Sequence, residues 1–290
     1  MRHPVRLAAI CLLLTSVAGA ETGGYVAAIE KWREDFDADI RTGGWLTLVG
    51  RCKVDEGTWT LGSDRRAALV LPSKAPAQLG VLSRRGSVFQ FEPASGADVS
   101  LGGNAITGPV LLSTKHGTDG IKAGDLSLAV RAVGEDFYLL VSDSKNPGIE
   151  EFKGTTWYAV SPSYRVAARF VPYVQPQTVR VPLTHADSKE TMRSVGDIVF
   201  QLAGKSFRLK TFADDEGLFV MFQDDTNGKG TYGGGRFIYA PKPTDGVTAL
   251  DFNKAFNPYC SLNPYIMCPI PPAQNRLPLK IAAGERFFGE

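Results

Sequence analysis

Residues that commonly carry catalysis or bind metals are scarce in this sequence. Its 290 residues include three histidines and four cysteines, and it has no Gly-x-Ser-x-Gly elbow, His-Glu-x-x-His pair or paired Cys-x-x-Cys motif. Only His116 and His185 lie beyond the N-terminal leader, both in polar, loop-like surroundings. Histidine is the commonest general base and the commonest metal ligand. Because it is scarce and no binding motif is present, the sequence predicts neither a metal site nor a bound cofactor.

Long runs of charge and long hydrophobic runs are also missing. The 32 basic and 30 acidic residues give a formal net charge of +2, without a basic stretch that would attract nucleic acid or an anionic membrane surface. The apolar run at residues 7–17 is too short to span a bilayer. We therefore expect no nucleic-acid partner and no membrane insertion.

The first twenty residues have the organisation of a secretory signal peptide. A basic start at residues 2–6 precedes the apolar run, and small residues follow at positions 18–20. We predict cleavage after Ala20 and a soluble protein that is periplasmic or secreted. A lipoprotein is not expected, because Cys11 lies inside the apolar run.

Three cysteines follow the predicted cleavage point. Cys260 and Cys268 flank Pro264 and are candidates for a disulfide that closes a small loop in an oxidising compartment. Cys52 is left over, and we expect it to act as a small buried hydrophobic residue.

A single amphipathic helix is predicted over residues 21–44. Its apolar positions recur every three or four residues, at Tyr25, Ile29, Trp32, Phe36 and Ile40. The pattern stops before Gly43-Gly44, and paired glycines are typical of a helix C-terminus.

Beyond the helix the pattern changes to short apolar runs bounded by turn-forming residues, which is typical of antiparallel strands. A first β module is predicted over residues 45–142, with strands at residues 45–49, 58–61, 67–71, 78–82, 88–92, 126–133 and 137–141. Turn-forming residues at 142–148 mark a linker, assigned to residues 143–155. A second β module follows over residues 156–290, with strands at residues 164–170, 177–181, 198–202, 206–212, 218–223, 236–239 and 247–250.

The predicted fold is mainly β. It consists of two β-rich modules, each a sandwich or a partly closed barrel, with one N-terminal amphipathic helix and an irregular C-terminal strap, residues 251–290. No segment alternates a strand with a long helix, so a parallel doubly wound sheet is not expected.

The segment at residues 223–236 joins two apolar runs. Asn227-Gly228 within it is a strong signal for a type I′ hairpin turn. Asp224, Asp225 and the asparagine also place oxygen atoms close together, as calcium prefers, but no glutamate closes a calcium-binding loop. We therefore favour the hairpin. The three glycines at 233–235 would let another backbone or a ligand approach closely.

Two arginines, Arg236 and Arg276, lie beside these motif residues. A guanidinium makes planar bidentate contacts to carboxylates or phosphates. The pair would either tie the strap to the second module through Asp224, Asp225 or Asp251, or recognise an anionic ligand. We favour the structural role.

The strap is polar and rich in proline, yet it also contains aromatic residues. Asparagine side chains satisfy irregular backbone, and prolines reduce the entropy lost on ordering. A strap that closes one end of the second module explains most of this composition. The alternative is a pocket rimmed by the strap, whose candidate ligand-binding residues are Asp224, Asp225, Thr226, Tyr232, Arg236, Asn253, Asn257, Asn275 and Arg276.

Several segments carry a family resemblance. Residues 36–39, 44–48, 56–63, 226–236 and 251–276 are together similar to the bacterial and archaeal domain of unknown function 1684. The resemblance spans nearly all of the chain after the leader and implies that the two halves form one unit. It implies no reaction.

A weaker resemblance concerns the first module alone. Leu61-Gly62-Ser63-Asp64 and Gly102-Gly103-Asn104 are similar to elements of forkhead-associated β-sandwiches. The arginine and histidine with which those domains bind phosphothreonine have no counterpart here. The resemblance therefore extends to the fold and not to phosphopeptide binding.

Two functions follow from these features. The favoured one is the binding of a small polar or anionic ligand, or of an envelope glycan, in a cleft beside the strap. The alternative is a hydrolase in which Asp224, Asp225 or Asp251 acts as the base and Arg236 or Arg276 stabilises negative charge. Binding is favoured because the sequence is poor in histidine.

Overall fold

The chain is mainly β, as predicted, and begins with one long helix. A computed structural model describes residues 11–115, 120–185, 188–215 and 217–288, with side chains from residue 23 onward. The helix α1 (Cys11–Thr42) ends directly before Gly43-Gly44. No helix within the described ranges is long and apolar enough to cross a membrane.

One face of α1 carries the predicted apolar residues into the core. Ile29, Phe36 and Ile40 are buried, and the Trp32 ring stacks beside Phe36 with ring centroids 5.4 Å apart. The helix therefore packs through the stripe that the three- and four-residue spacing indicates.

The first half of the chain forms two sheets that pack face to face. Its strands are β1 (Leu48–Lys53), β2 (Gly57–Gly62), β3 (Leu69–Val70), β4 (Gly80–Arg85), β5 (Val88–Pro93), β6 (Ser100–Leu101), β7 (Asn104–Ala105), β8 (Val110–Leu112), β9 (Ile121–Ala123), β10 (Leu126–Val133) and β11 (Asp136–Asp143). One sheet has the order β1-β11-β10-β9-β6-β7 and the other β3-β2-β4-β5-β8. Leu82 and Phe89 of one sheet share a core with Leu128 and Leu139 of the other, so the arrangement is a β-sandwich.

The second half forms a curled sheet and a short ribbon. After α2 (Gly148–Glu151), its strands are β12 (Thr156–Trp157), β13 (Arg165–Pro182), β14 (Lys189–Leu202), β15 (Lys205–Ala213), β16 (Gly217–Phe222), β17 (Arg236–Pro241), β18 (Val247–Asp251) and β19 (Glu285–Arg286). The six-stranded sheet has the order β17-β16-β15-β14-β13-β18, and β12 pairs with β19. The end strands β17 and β18 approach each other, and the Thr248 hydroxyl donates to the Pro241 carbonyl at 2.7 Å. The sheet is therefore a nearly closed barrel.

Strand β16 is apolar without interruption because both of its faces are buried. Leu218, Val220 and Phe222 lie in the core inside the curled sheet. Phe219 and Met221 point the other way, into a second core shared with α1 and the strap. A strand covered on both faces needs no polar alternation.

Two predicted strands of the second module are one continuous strand. β13 covers the predicted runs at 164–170 and 177–181, with a bulge between Pro172 and Gln177. β14 begins at Lys189, nine residues before its predicted start at 198. Its polar first half pairs with β13, and exposed residues of that kind give no hydrophobic signal.

The predicted type I′ turn at Asn227-Gly228 is wrong. Such a turn needs positive φ at both residues, but only the glycine has it, at 73°. The Asn227 side chain instead holds a wider loop between β16 and β17. Its Oδ1 accepts from the Asp224 amide at 2.6 Å, and its Nδ2 donates to the Tyr232 carbonyl at 2.6 Å.

Candidate functional site

Arg236 and Asp224 form an ion pair in the interior of the second half. Both side chains are completely buried, and a guanidinium nitrogen donates to Asp224 Oδ2. The same guanidinium donates to the carbonyl oxygens of Ala283 and Ile281 in the strap. Burial lowers the pKa of Arg236, and the neighbouring carboxylate opposes that shift. The pair therefore ties the loop at 223–235 to the end of the strap.

The remaining bonds of Asp224 stay within its own loop. Its Oδ1 accepts from the Thr226 amide at 2.7 Å and from the Thr226 hydroxyl, and that hydroxyl lies 2.9 Å from the Thr231 hydroxyl. Thr226 is itself buried. The polar atoms of this part of the predicted site thus have protein partners.

The predicted asparagines join irregular backbone segments to one another. Asn275 accepts from the Lys210 amide at 2.7 Å and donates to the carbonyl oxygens of Lys210 and Met221. Asn257 accepts from the Tyr232 amide at 3.1 Å and donates to the Arg286 carbonyl at 3.2 Å. Both asparagines are buried. Their side-chain amides therefore supply hydrogen-bond donors and acceptors to backbone groups that have no partner in a regular strand or helix.

Arg276 and Asp225 lie apart from this interior. Their charged atoms are 3.8 Å apart, and the side chains are 61% and 42% exposed. The predicted contact between the strap and the loop is therefore present, as a surface ion pair, which contributes little to stability.

Tyr232 lies beside the two strap cysteines. Its hydroxyl is 3.8 Å from Cys260 Sγ, and its ring meets Phe287 edge to face. Cys260 and Cys268, candidates for a disulfide, are neighbouring free thiols here. Cys52, also free, is partly buried and packs against the sandwich core.

Glu285 is a buried carboxyl group that belongs to none of the motifs found in the sequence. It is 4% exposed, and its Oε2 accepts from the Asn257 amide at 2.7 Å. Burial raises the pKa of Glu285 to about 8, although the Asn257 bonds and the charge of Arg236 favour its ionised form. A titratable group is therefore buried where β19 meets the backbone of Asn257.

A cleft of about 520 Å³ opens where the barrel fails to close. It lies between α1 and the strands around the seam of β17 and β18, and its lining includes Tyr25, Arg165, Asp214, Tyr239, Asp251 and Lys254. None of the nine predicted ligand-binding residues is in this lining. Asp251 is, and it was predicted only as a candidate base or as a partner of the two arginines.

Asp251 has neighbouring donors at both of its oxygens. The Tyr25 hydroxyl lies 2.9 and 2.8 Å from its two oxygens, and the backbone and side chain of Asn253 each donate to Oδ1 at 3.0 Å. Burial and the neighbouring carboxylate raise the pKa of Tyr25. The hydroxyl thus remains a proton donor at neutral pH. Asn253, a predicted site residue, does not line the cleft but holds the Tyr25 side chain by donating to its hydroxyl at 3.0 Å.

Two cations line the cleft against aromatic rings. The Arg165 guanidinium lies 5.5 Å from the centre of the Tyr25 ring, and Lys254 Nζ lies 5.4 Å from that of Trp32. Among the ion pairs of the described residues, neither cation takes part. Cation–π contacts of this kind leave the polar hydrogens available to a ligand.

The histidines and carboxylates do not assemble a metal centre in the part of the chain that the structure describes. No group of three or more His, Cys, Asp or Glu residues there has metal-binding geometry. His185 is partly buried, and burial lowers its pKa. His116 lies outside the described residues.

Comparison with known proteins connects the second half to a family. A family model described as a protein of unknown function (DUF1684) matches residues 150–286. A solution NMR structure of an uncharacterized protein from Haloarcula marismortui is 36% identical, with 48% of this chain and 78% of that chain covered and a TM-score of 0.40. The chain belongs to the DUF1684 family.

The DUF1684 match begins at residue 150. The similar segments at 36–39, 44–48 and 56–63 therefore lie outside it, whereas the loop at 226–236 and the strap segment at 251–276 lie within it. A search of curated proteins finds no match.

The buried ion pair predicts unequal effects of two adjacent substitutions. Asp224→Ala leaves the Arg236 charge buried and unpaired, so we expect it to lower the free energy of unfolding by about 3–5 kcal/mol. Asp225→Ala removes only the surface partner of Arg276, and we expect a loss of about 0–1 kcal/mol. Urea unfolding followed by circular dichroism measures both. Similar losses for the two variants would contradict the structural role of the buried pair.

Glu285 predicts a loss of stability as pH rises. The pKa of glutamate is about 4.3 in an unfolded chain and about 8 for folded Glu285, so the folded state binds this proton more tightly. Its contribution is present below about pH 4.3 and is lost as pH rises through about 8, at no more than about 1.4 kcal/mol per pH unit.

The Glu285→Gln variant tests this directly, because its side chain stays neutral at every pH. Unfolding free energies at pH 5.5 and pH 8.5 should fall further in the wild type than in the variant. Equal losses would show that Glu285 does not titrate in this range.

Proposed function

We propose that this protein binds a small polar ligand carrying an anionic group in the cleft between α1 and the seam of the curled sheet. The cleft's volume of about 520 Å³ is within the usual range for small-molecule sites. The observation that carries the proposal is the pair of cations, Arg165 and Lys254, held against aromatic rings instead of carboxylates.

The two cations lie against rings that are spaced along α1, the helix that borders the cleft. Tyr25 and Trp32, the rings against which they lie, are seven residues apart on α1, or about 10 Å at 1.5 Å per residue. A ligand of monosaccharide size would therefore reach one cation with its anionic group while its body lies between the two. A guanidinium favours a carboxylate or phosphate partner.

The other walls of the cleft suit a ring-shaped body. Tyr239 is 54% exposed and offers an aromatic face, and Ala28, Ala240 and Pro241 add apolar surface. An aromatic face beside hydroxyl and carboxylate groups supports recognition of a ligand with both apolar and polar edges. We therefore favour a sugar acid or a related ring compound, in line with the expected envelope glycan.

The hydrolase alternative has less support from the geometry. Asp224 is enclosed with Arg236, and Asp251 accepts from Asn253 at Oδ1 while the Tyr25 hydroxyl lies within hydrogen-bond distance of both its oxygens. A general base must reach a substrate proton. Asp225 is accessible, but it lies beside Arg276 on the surface and not in the cleft.

Calorimetric titration with glucuronate and glucose tests the proposed site, because the two probes differ in one carboxylate. We expect glucuronate to bind and glucose to bind at least about tenfold more weakly. Arg165→Met and Lys254→Met should each weaken glucuronate binding about tenfold, a change of about 1.4 kcal/mol in binding free energy. Added salt should weaken it further.

Arg193→Met is the matched control, since Arg193 is an exposed cation on β14 outside the cleft lining. It should leave glucuronate affinity unchanged. Equal effects of all three substitutions would indicate a general charge effect, and affinity independent of Arg165 and Lys254 would place binding elsewhere.

We further propose that the protein is exported, on the support of the basic start, apolar run and small residues of the first twenty positions. Cleavage after Ala20 would retain Tyr25 and with it the hydrogen bonds to Asp251. The intact mass of protein recovered from the native host should correspond to a chain beginning at Glu21. A mass that includes the first twenty residues would contradict export by cleavage.

A further inference from the structure

The strap holds two thiols whose surroundings differ sharply. Cys260 lies in a 3-10 turn, Tyr259–Ser261, and is partly exposed, whereas Cys268 is 4% exposed. The Cys260 amide donates to Cys268 Sγ at 3.3 Å. The sulfur of the second cysteine is therefore held against the backbone of the first.

Neighbouring segments hold each thiol in place. The Cys268 amide donates to Thr184 Oγ1 at 3.2 Å, and the Thr184 amide donates to the Cys268 carbonyl at 2.9 Å. The Tyr232 hydroxyl lies 3.8 Å from Cys260 Sγ. Cys260 thus has a hydroxyl neighbour on one side and its partner thiol on the other.

These contacts favour the thiolate at Cys260. A hydrogen bond from the Cys268 thiol, aided by the hydroxyls of Tyr232 and Thr184, lowers the pKa of Cys260 to about 7. The same hydrogen bond to Cys260, together with burial, raises the pKa of Cys268. Burial likewise raises the pKa of Cys52. Thiolate character and exposure, which together set cysteine reactivity, therefore coincide at Cys260 alone of the three.

We propose that Cys260 and Cys268 are a redox-active dithiol, in which Cys260 attacks an external disulfide and Cys268 resolves the product. The substrate class is a small-molecule or protein disulfide. This site is separate from the cleft and does not depend on ligand binding there.

The exchange balances in two steps. The Cys260 thiolate attacks one sulfur of the external disulfide, forming a mixed disulfide and releasing the other sulfur as a thiolate that takes up a proton. Cys268 then loses its proton and attacks Cys260 Sγ, which forms the Cys260–Cys268 bond and releases the second external thiol. Two protein thiols are oxidised and one external disulfide is reduced.

The second step is eased by the first. While Cys260 is a thiolate, the hydrogen bond between the two cysteines, the burial of Cys268 and the negative charge of Cys260 all raise the pKa of Cys268. Once Cys260 is in the mixed disulfide, this charge is gone. Capture of the external disulfide therefore removes the contributions of the Cys260 thiolate to the raised pKa of Cys268, while that of burial stays.

Oxidised glutathione is the probe for this assignment. In the wild type we expect an intramolecular Cys260–Cys268 disulfide, seen by peptide mass spectrometry as the loss of two hydrogens, without a lasting glutathione adduct at either residue. Cys268→Ser should accumulate the adduct on Cys260, because the resolving thiol is absent. Cys260→Ser should leave Cys268 unmodified, and Cys52→Ser should behave as the wild type.

Alkylation of the native reduced wild type tests the reactivity of Cys260 without any substitution, and Tyr232→Phe adds a second comparison. Iodoacetamide should modify Cys260 at least about tenfold faster than Cys52 or Cys268, given its greater thiolate fraction. Tyr232→Phe should slow modification of Cys260 several-fold and leave the rate at Cys52 unchanged. A merely structural role for the tyrosine would not produce that difference.

Three outcomes would overturn the proposal. One is the absence of the Cys260–Cys268 disulfide in wild type treated with excess oxidised glutathione. Another is equal alkylation of all three cysteines. The last is glutathione capture by Cys268 in Cys260→Ser at the rate shown by Cys260, which would remove the assigned order of attack.

Discussion

The enclosed Arg236–Asp224 ion pair is the constraint on which the second half of the molecule depends. Two opposite charges without solvent are stable only when their hydrogen bonds are also satisfied. Asp224 meets this requirement with Thr226, and the two terminal nitrogens of Arg236 meet it with two strap carbonyls and Asp224, although its Nε has no partner among the described residues. The loop at 223–235 and the end of the strap must therefore be in place together, because the loop supplies the Asp224 carboxylate and the strap supplies the carbonyl oxygens that the Arg236 guanidinium needs.

Beyond β18 the strap follows the curled sheet through side-chain hydrogen bonds and isolated bridges, and among its described residues only β19 forms a paired strand. Asn275 bridges to β15 and β16, and Asn257 bridges to the loop at Tyr232 and to the Arg286 carbonyl. Proline and asparagine serve the same end here, because the first lowers the entropy of ordering and the second supplies partners that an irregular chain lacks.

The mainly β fold and the leading helix were predictable because their signals are local. The spacing of Ile29, Phe36 and Ile40 specifies a helix face, and β10 alternates buried and half-buried residues over its first six positions. The start of β14 was missed because pairing with β13, and not burial, makes it a strand. The turn at Asn227 was missed because its side chain bonds within a longer loop.

The cleft was less predictable because its parts are distant in sequence and unremarkable one by one. Tyr25 was correctly placed on the buried side of the helix, yet nothing local indicated that its hydroxyl would meet Asp251, 226 positions away. Arg165 and Lys254 lie at the start of one strand and just after another. The motif residues, in contrast, were conspicuous because they are structural: polar groups clustered in a polar segment are often there to satisfy one another.

The location of the cleft follows from the same packing that encloses the motif residues. β17 and β18 end the curled sheet, and the strap joins β17 near its start, where Phe237 pairs with Phe256 and the Arg236 guanidinium donates to Ile281 and Ala283. Beyond that point the seam is bridged by the Thr248 hydroxyl and covered by α1. A closed barrel would have left no space there. An uncovered open barrel would have exposed its strand edges to aggregation. The helix α1 covers the seam and also supplies Tyr25, whose hydroxyl hydrogen-bonds to Asp251 at the end of β18.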